Sequence, residues 1–151
     1  MWTFRLIDLF LGISWDCKGT WKKAKKNTLW CLLGCSIGDF GTILFFQYTE
    51  YSLPVFYILS LAIVNGLITS IILETIVLSY SQTIFSAFKT AIGMSFISMI
   101  SMELAMNLVD YIMTGGAIMN FYTVLPMLIA GYFTPLPYNY YRLKKYNQSC
   151  H

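Results

Sequence analysis

The sequence predicts an all-α membrane protein with about four transmembrane helices and an N-terminal amphipathic helix at the membrane interface. Two observations lead to this fold class. Of the 151 residues, 57% are hydrophobic and only 11% are charged, whereas a soluble domain carries about a quarter charged residues because its surface faces water. The apolar residues are also grouped in long runs between short polar segments, which is typical of helices that cross a bilayer.

Composition divides the chain into three regions. Residues 1–26 are expected to form an interfacial amphipathic helix, over about residues 1–15, and a basic linker. Residues 27–138 are expected to form a transmembrane bundle of four spans, and residues 139–151 a cytoplasmic tail rich in aromatic and basic residues. The first helix is too short and too charged to span, because about 20 apolar residues are needed to cross roughly 30 Å of hydrocarbon.

The long apolar runs place the four spans. We expect them at about residues 29–48, 55–80, 85–113 and 121–136. Pro126 lies inside the last run and Pro135 near its end. Proline is tolerated in a spanning helix when neighbouring groups satisfy the carbonyls that it leaves free.

The basic residues predict the orientation. A cluster of four lysines at positions 22–26 precedes the first span, Lys89 lies between the second and third spans, and three basic residues follow the fourth at positions 142–145. The loop between the first and second spans and the loop between the third and fourth spans contain no Lys or Arg. Because cytoplasmic loops carry an excess of these residues, both termini are expected in the cytoplasm. The partner implied is the lipid bilayer and not nucleic acid, since every basic cluster adjoins an apolar span.

One face of the third span carries sulfur, carboxyl and amide groups. At 100° per residue, an arc of about 140° contains Met99, Met102, Glu103, Met106, Asn107, Asp110 and Met113. The opposite face is apolar. Because a carboxylate in hydrocarbon costs a few kcal/mol or more when it is unpaired, this face is expected to meet a bundle interior, a partner or a water-filled path.

The first span carries a second stripe. Cys31, Cys35 and Asp39 follow at intervals of four residues, which places them on one side of a helix. Gly34 and Gly38 adjoin this stripe and permit another helix to approach closely. The second span adds Glu74, a further acidic residue inside apolar sequence.

These residue types favour a transporter or metallochaperone for a soft metal ion, because Cu(I) and Ag(I) prefer thiolate and thioether ligands. The predicted metal ligands are Cys31, Cys35, Met99, Met102, Met106, Cys150 and His151. The residues predicted to act in transport or charge balance are Asp39, Glu74, Glu103, Asn107 and Asp110. The terminal Cys-His pair would receive or deliver the ion on the cytoplasmic side.

Other interpretations stay open. A methionine stripe at helical spacing also suits plain packing, and membrane cysteines also serve as small apolar residues. A proton-coupled or other cation transporter would use the carboxylates, with the sulfurs as packing. A non-transport accessory subunit would bind a larger complex through the polar face of the third span. An enzyme is not expected, since the only histidine is the last residue and no catalytic motif is present.

Three segments resemble a known family. They are WCLLGCSIGD at residues 30–39, MELAMNLVD at 102–110 and PLPYNYYRLKK at 135–145, followed by the final Cys150-His151. Together they resemble a family of small prokaryotic four-helix membrane proteins that is catalogued only as a domain of unknown function. The resemblance implies a location in a prokaryotic inner (plasma) membrane. The resemblance covers about residues 30–151, and the family's loose association with copper handling favours metal handling here. Since four short spans rarely enclose a path alone, we expect a homo-oligomer or a membrane partner.

Overall fold

A computed structural model describes residues 17–145, apart from the side chain of Met94, and the regular secondary structure of this part of the chain is all helical. It contains α1 (Lys18–Thr49), α2 (Val55–Ser79), α3 (Ile84–Thr114), α4 (Phe121–Phe133) and α5 (Leu136–Lys145). The interfacial helix predicted for residues 1–15 lies outside the described residues, as does the Cys150-His151 terminus.

Three of these helices are long and apolar enough to cross a membrane: Lys18–Thr49, Val55–Ser79 and the Ser95–Thr114 part of α3. Their length and composition indicate a membrane protein, and their positions agree with the first three predicted spans. The first helix begins earlier than the predicted span, at Lys18. Lysine and alanine favour helix, so the lysines assigned to a linker lie on the first turns of α1.

The burial of side chains is the reverse of that in a soluble protein. Large apolar side chains are exposed on the long helices, with Ile37 64%, Ile72 53% and Ile97 62% exposed. Three acidic side chains are completely buried: Asp39, Glu103 and Asp110. Apolar surface of this extent needs an apolar solvent, so the outer faces of α1, α2 and α3 suit contact with lipid.

The helices α1 and α2 pack closely because two glycines remove side chains from their contact. A Cβ atom added to Gly34 would lie 2.5 Å from the Cα atom of Ser70, and one added to Gly38 would overlap the backbone carbonyl of Asn65. The hydroxyl of Thr69 donates a hydrogen bond to the carbonyl oxygen of Gly34 at 2.6 Å. The close approach predicted from these glycines is therefore confirmed.

The fourth apolar run differs from the continuous span that its sequence predicts. The helix α4 has 13 residues and ends at Phe133, and α5 follows at Leu136. Thirteen residues cover only about 20 Å. The physical reason for the break is the Pro135–Pro137 pair, which lacks two backbone N–H donors.

Hydrogen bonds at its two ends place this fourth segment beside α1. The backbone N–H of Met119 donates to the side-chain oxygen of Gln47 at 3.1 Å, and the Asn139 amide donates to the Thr28 hydroxyl at 2.7 Å. Thr28 and Gln47 are separated along α1 by about 28 Å at 1.5 Å per residue. The segment that contains α4 therefore runs antiparallel to α1 over most of the thickness of a bilayer.

At the lysine-rich end of α1, α5 packs against α1. The buried side chains of this contact are Ala24, Leu136, Tyr140 and Leu143, which we call the basic-end cluster. The rings of Trp21 and Tyr140 lie 4.4 Å apart between centroids. The first residues of the predicted tail are therefore helical and packed against α1.

Candidate functional site

Six sulfur-bearing side chains meet in one buried core, which we call the sulfur cluster. Its members are Cys31 and Cys35 from α1, Met99, Met102 and Met106 from α3, and Met127 from α4, with Leu32 beside them. All seven side chains are buried. The two sequence stripes thus face each other, and α4 closes the cluster from a third side.

Glycine allows α4 to approach this core. A Cβ atom added to Gly131 would lie 2.7 Å from Met106 Cγ and 3.1 Å from Leu32 Cδ1. Met127, one turn earlier on α4, is 1% exposed and packs in the same core. Met127 could not be predicted from the sequence, because α4 is apolar on most of its surface and no polar stripe marks its inner face.

The two thiols are free and lie on the side of the cluster that faces α2 and α3. The Sγ atom of Cys31 lies 3.5 Å from the Ser70 hydroxyl, which also donates to the Cys31 carbonyl oxygen at 3.2 Å. Cys35 interacts with Cys31 and with the carboxyl group of Glu103. Ser70 was also missed from the sequence, since a single serine in an apolar helix carries no pattern.

Two carboxyl groups that one amide bridges adjoin the sulfurs. The Asn107 amide donates to Asp39 Oδ1 at 3.1 Å and to the Glu103 backbone carbonyl at 3.0 Å, and it lies 3.5 Å from Glu103 Oε2. Asn107 therefore links the carboxyl groups of α1 and α3. On α2, Gly66 leaves the space for Glu103, because a Cβ atom there would overlap Glu103 Oε1.

Each of these carboxyl groups retains an oxygen without a hydrogen-bond partner among the described residues, namely Asp39 Oδ2 and Glu103 Oε1. A charge buried without a partner costs several kcal/mol. A proton or a bound cation at these oxygens would remove that cost. The arrangement can therefore bind positive charge next to sulfur ligands.

Two predicted residues lie outside this arrangement. Glu74 is half-buried on α2, and its Oε1 accepts a hydrogen bond from the Ser95 hydroxyl at 2.5 Å. Asp110 is buried near the end of α3, where Thr114 donates to its carboxylate at 3.3 Å. Met113, which shares the predicted arc, is 49% exposed. The polar face of α3 is thus internal from Met99 to Asp110 and ends there.

Within residues 17–145, no group of three or more His, Cys, Asp and Glu side chains is arranged to hold a metal ion. The sulfur cluster has a different donor set, with two thiols and four thioethers. Soft monovalent ions prefer such donors, whereas Mg²⁺ and Ca²⁺ prefer oxygen.

Fold and site together define a helical membrane protein with a sulfur- and carboxyl-lined interior. The chain belongs to the family described as Domain of unknown function (DUF4396), whose model matches residues 20–148 and so includes the whole site. No curated protein and no solved structure matches the chain. A family of unknown function agrees with that part of the resemblance seen in the sequence, and the family's description assigns no activity.

Proposed function

We propose that this protein is a membrane transporter or metallochaperone for a soft monovalent metal ion such as Cu(I) or Ag(I). The single observation that supports the proposal is the sulfur cluster. Sulfur side chains that are up to 96 residues apart in the sequence, from Cys31 to Met127, are buried against one another across three helices.

The neighbouring groups suit this cargo. Thioethers are neutral ligands, so they hold a monovalent cation without a large excess of negative charge. The thiols become strong ligands only when they lose their protons. The Glu103 carboxyl group, which interacts with Cys35, is placed to take such a proton or to balance the charge of the ion. Methionine packing alone requires neither carboxyl group.

The decisive experiment separates ligand binding from packing. We expect Met102→Leu/Met106→Leu to lower Cu(I) affinity about tenfold or more in protein purified without oxygen. Exchange of Met for Leu roughly preserves volume, so the free energy of unfolding should change by less than about 1.5 kcal/mol. The matched control is the reverse exchange in the basic-end cluster, Leu136→Met/Leu143→Met, which should leave Cu(I) affinity unchanged.

The same measurement on Cys31→Ser/Cys35→Ser completes the test. A loss of Cu(I) affinity is expected because hydroxyl oxygen is a poor ligand for this ion. Serine also introduces a polar group, so the methionine variant is the cleaner one. Unchanged Cu(I) affinity in both double variants would contradict the soft-metal proposal and leave the sulfur cluster as packing.

A second candidate function is proton-coupled or other cation transport. The observation in its favour is the unpartnered oxygen on each of Asp39 and Glu103. In that case, Asp39→Asn and Glu103→Gln would each abolish transport, and the sulfur variants would retain it.

For an accessory subunit, the expected docking surface was the polar face of α3. Most of that face is buried within the chain, so a partner would need a different surface.

We further propose four crossings, with both termini in the cytoplasm of a prokaryotic cell. The fourth crossing combines α4 with the start of α5, and its support is the path beside α1 from Gln47 to Thr28. Labelling of a single cysteine at position 150 with an impermeant reagent tests this topology. Reaction from the outer side alone would contradict it. The homo-oligomer and the role of the Cys-His terminus stay predictions.

A further inference from the structure

A polar cavity of about 110 Å³ lies at the lysine-rich end of the bundle, between α1, α2, α3 and α5. Each of these helices contributes polar side chains to its wall, among them Asn27, Glu74, Thr90, Ser98, Asn139 and Arg142. At roughly 30 Å³ for each water molecule, the cavity has room for a few waters or for one small organic molecule. Asn27 is exposed beside Lys26, so a ligand would enter from the lysine-rich side.

Two opposite charges line this cavity without a hydrogen bond between them. Glu74 Oε1 accepts a hydrogen bond from the Ser95 hydroxyl, and Glu74 Oε2 has no partner among the described residues. Arg142 therefore donates to neither carboxylate oxygen, although its charge acts on Glu74. The guanidinium carbon lies over the ring of Tyr138, 5.9 Å from the centroid. The space between the two charged groups is open to a molecule that contacts both.

The helices keep the two charges apart. Glu74 lies on α2 and is tied to α3 through Ser95. Arg142 lies on α5, between Tyr140 and Leu143 of the basic-end cluster. Opposite charges attract strongly where the dielectric constant is low, yet direct contact would require one of these helices to leave its packing. Groups that are held in place before a ligand arrives bind it with a smaller loss of entropy.

Unpartnered polar atoms indicate an occupant. Besides Glu74 Oε2, the hydroxyl of Ser98 has no partner among the described residues, and Ser98 is 1% exposed. Buried polar atoms in folded proteins are almost always hydrogen-bonded. A lone cation suits the cavity poorly because the Arg142 guanidinium repels it, and a lone anion is repelled by Glu74. A molecule that carries both charges satisfies both side chains.

We propose that the polar cavity binds a small zwitterionic amino acid on the lysine-rich side of the membrane. Glu74 and Ser98 accept hydrogen bonds from the ammonium group of the ligand. Arg142 donates to its carboxylate, for which the planar guanidinium is the best-suited side chain. This site is separate from the proposed metal function, because it requires no metal ion and uses no methionine.

Binding of three amino acids to metal-free, full-length protein in lipid nanodiscs tests the assignment. Glycine, β-alanine and γ-aminobutyrate carry the same two charges at increasing separation, and acetate and methylammonium carry one charge each. Equilibrium dialysis with radiolabelled ligands measures each affinity, with empty nanodiscs as the blank. We expect at least one of the three amino acids to bind about tenfold or more tightly than either single-charge compound, because it makes two charge-assisted contacts.

Charge-removing variants locate the ligand. Glu74→Gln keeps the side-chain size, and it should lower the affinity for the best-bound amino acid about tenfold while acetate binding does not weaken. Arg142→Gln should cause a similar loss. The matched control is Lys145→Gln, which removes a charge from the same helix outside the cavity and should leave the affinity within about twofold. Monodisperse elution shows that each variant is folded, and Glu74→Gln carries the test if Arg142→Gln is not.

A matched pair of serine variants tests the space itself. Ser98→Val removes the hydroxyl and adds a methyl group in the cavity, so amino-acid binding should weaken about tenfold. Ser101→Val makes the same exchange on α3 outside the cavity, and the affinity should not change.

Three results would overturn the assignment. The first is that none of the amino acids binds more tightly than acetate and methylammonium, which would leave water or a single ion in the cavity. The second is unchanged affinity in both Glu74→Gln and Arg142→Gln, which would place the ligand elsewhere. The third is an equal loss in Lys145→Gln, which would indicate a general charge effect. Because no metal is present, these results are independent of the Cu(I) measurements that test the proposed function.

Discussion

Two buried clusters connect α1 to the rest of the bundle, and their chemistry differs. The basic-end cluster contains aliphatic and aromatic side chains, and its neighbour Asn139 is hydrogen-bonded to Thr28. The sulfur cluster lies deeper along α1 and consists mainly of thiols and thioethers. It also adjoins Asp39 and Glu103, whose carboxyl groups each leave one oxygen without a partner among the described residues.

The basic-end cluster shows which contacts are sufficient to pack two helices together. At the basic end, α5 is anchored to α1 by ring stacking, apolar contact and a satisfied hydrogen bond. The sulfur cluster anchors α3 and α4 equally well, yet it carries acidic groups whose burial costs several kcal/mol when they are charged and unpaired. Binding of a proton or cation at these carboxyl groups would offset this cost.

The largest effect is expected from Gly38→Ala. Its new Cβ atom would overlap the backbone carbonyl of Asn65, which cannot rotate away, so α1 and α2 must separate. We expect a loss of about 1–3 kcal/mol in the free energy of unfolding, measured by denaturation in detergent. This strain acts on the side of α1 that carries Asp39 and the thiols, and it leaves the basic-end cluster intact.

The same helix offers a matched control. A Cβ atom at Gly41 would meet nothing within 4 Å, and alanine favours helix over glycine by up to about 1 kcal/mol. Gly41→Ala should therefore keep or slightly raise stability. Equal losses in both variants would show that glycine flexibility, and not close packing at Gly38, determines the stability of α1.

The next effect concerns charge rather than shape. Glu103→Gln keeps the size of the side chain and removes its charge, so the protein should stay folded while Cu(I) affinity or transport falls about tenfold. Glu103 is expected to be more sensitive than Asp39 or Glu74, because it interacts with the Cys35 thiol. Glu50→Gln, at an exposed loop position, is the control. Full activity in Glu103→Gln, Asp39→Asn and Glu74→Gln would exclude a role for the buried carboxyl groups.

Much of the fold could be predicted from the sequence. Of the two clusters, most of the sulfur cluster could also be predicted, whereas the basic-end cluster could not. Long apolar runs located α1, α2 and α3, because a bilayer requires about 20 apolar residues per crossing. Helical spacing placed Cys31 and Cys35 on one stripe and Met99, Met102 and Met106 on another, and the structure brings the two stripes together. Periodicity is informative wherever polar and apolar residues alternate around a helix.

The remaining features depend on contacts between distant segments. Met127 lies on a helix that is apolar on most of its surface, so spacing could not show which side faces inward. The residues at 139–145 were expected to form a tail, and their helix follows from packing against Ala24. A cavity of about 110 Å³ at the lysine-rich end of the bundle is lined by polar residues from four helices, such as Asn27, Ser98 and Arg142, none of which forms a pattern with its sequence neighbours.

The smallest effect tests whether α4 belongs to the site or only covers it. Met127 is 1% exposed in the sulfur cluster, whereas Met113 on α3 is 49% exposed and outside it. Met127→Leu removes one thioether at nearly constant volume, so stability should change by less than about 1.5 kcal/mol. If the thioether is a ligand, Cu(I) affinity should fall about threefold, since several other sulfurs remain. Met113→Leu should change neither quantity. Competition titrations with a Cu(I) chelator resolve a threefold change in affinity. Equal affinities for the two variants would restrict the ligand set to α1 and α3. In that case, α4 would only pack against the sulfur cluster.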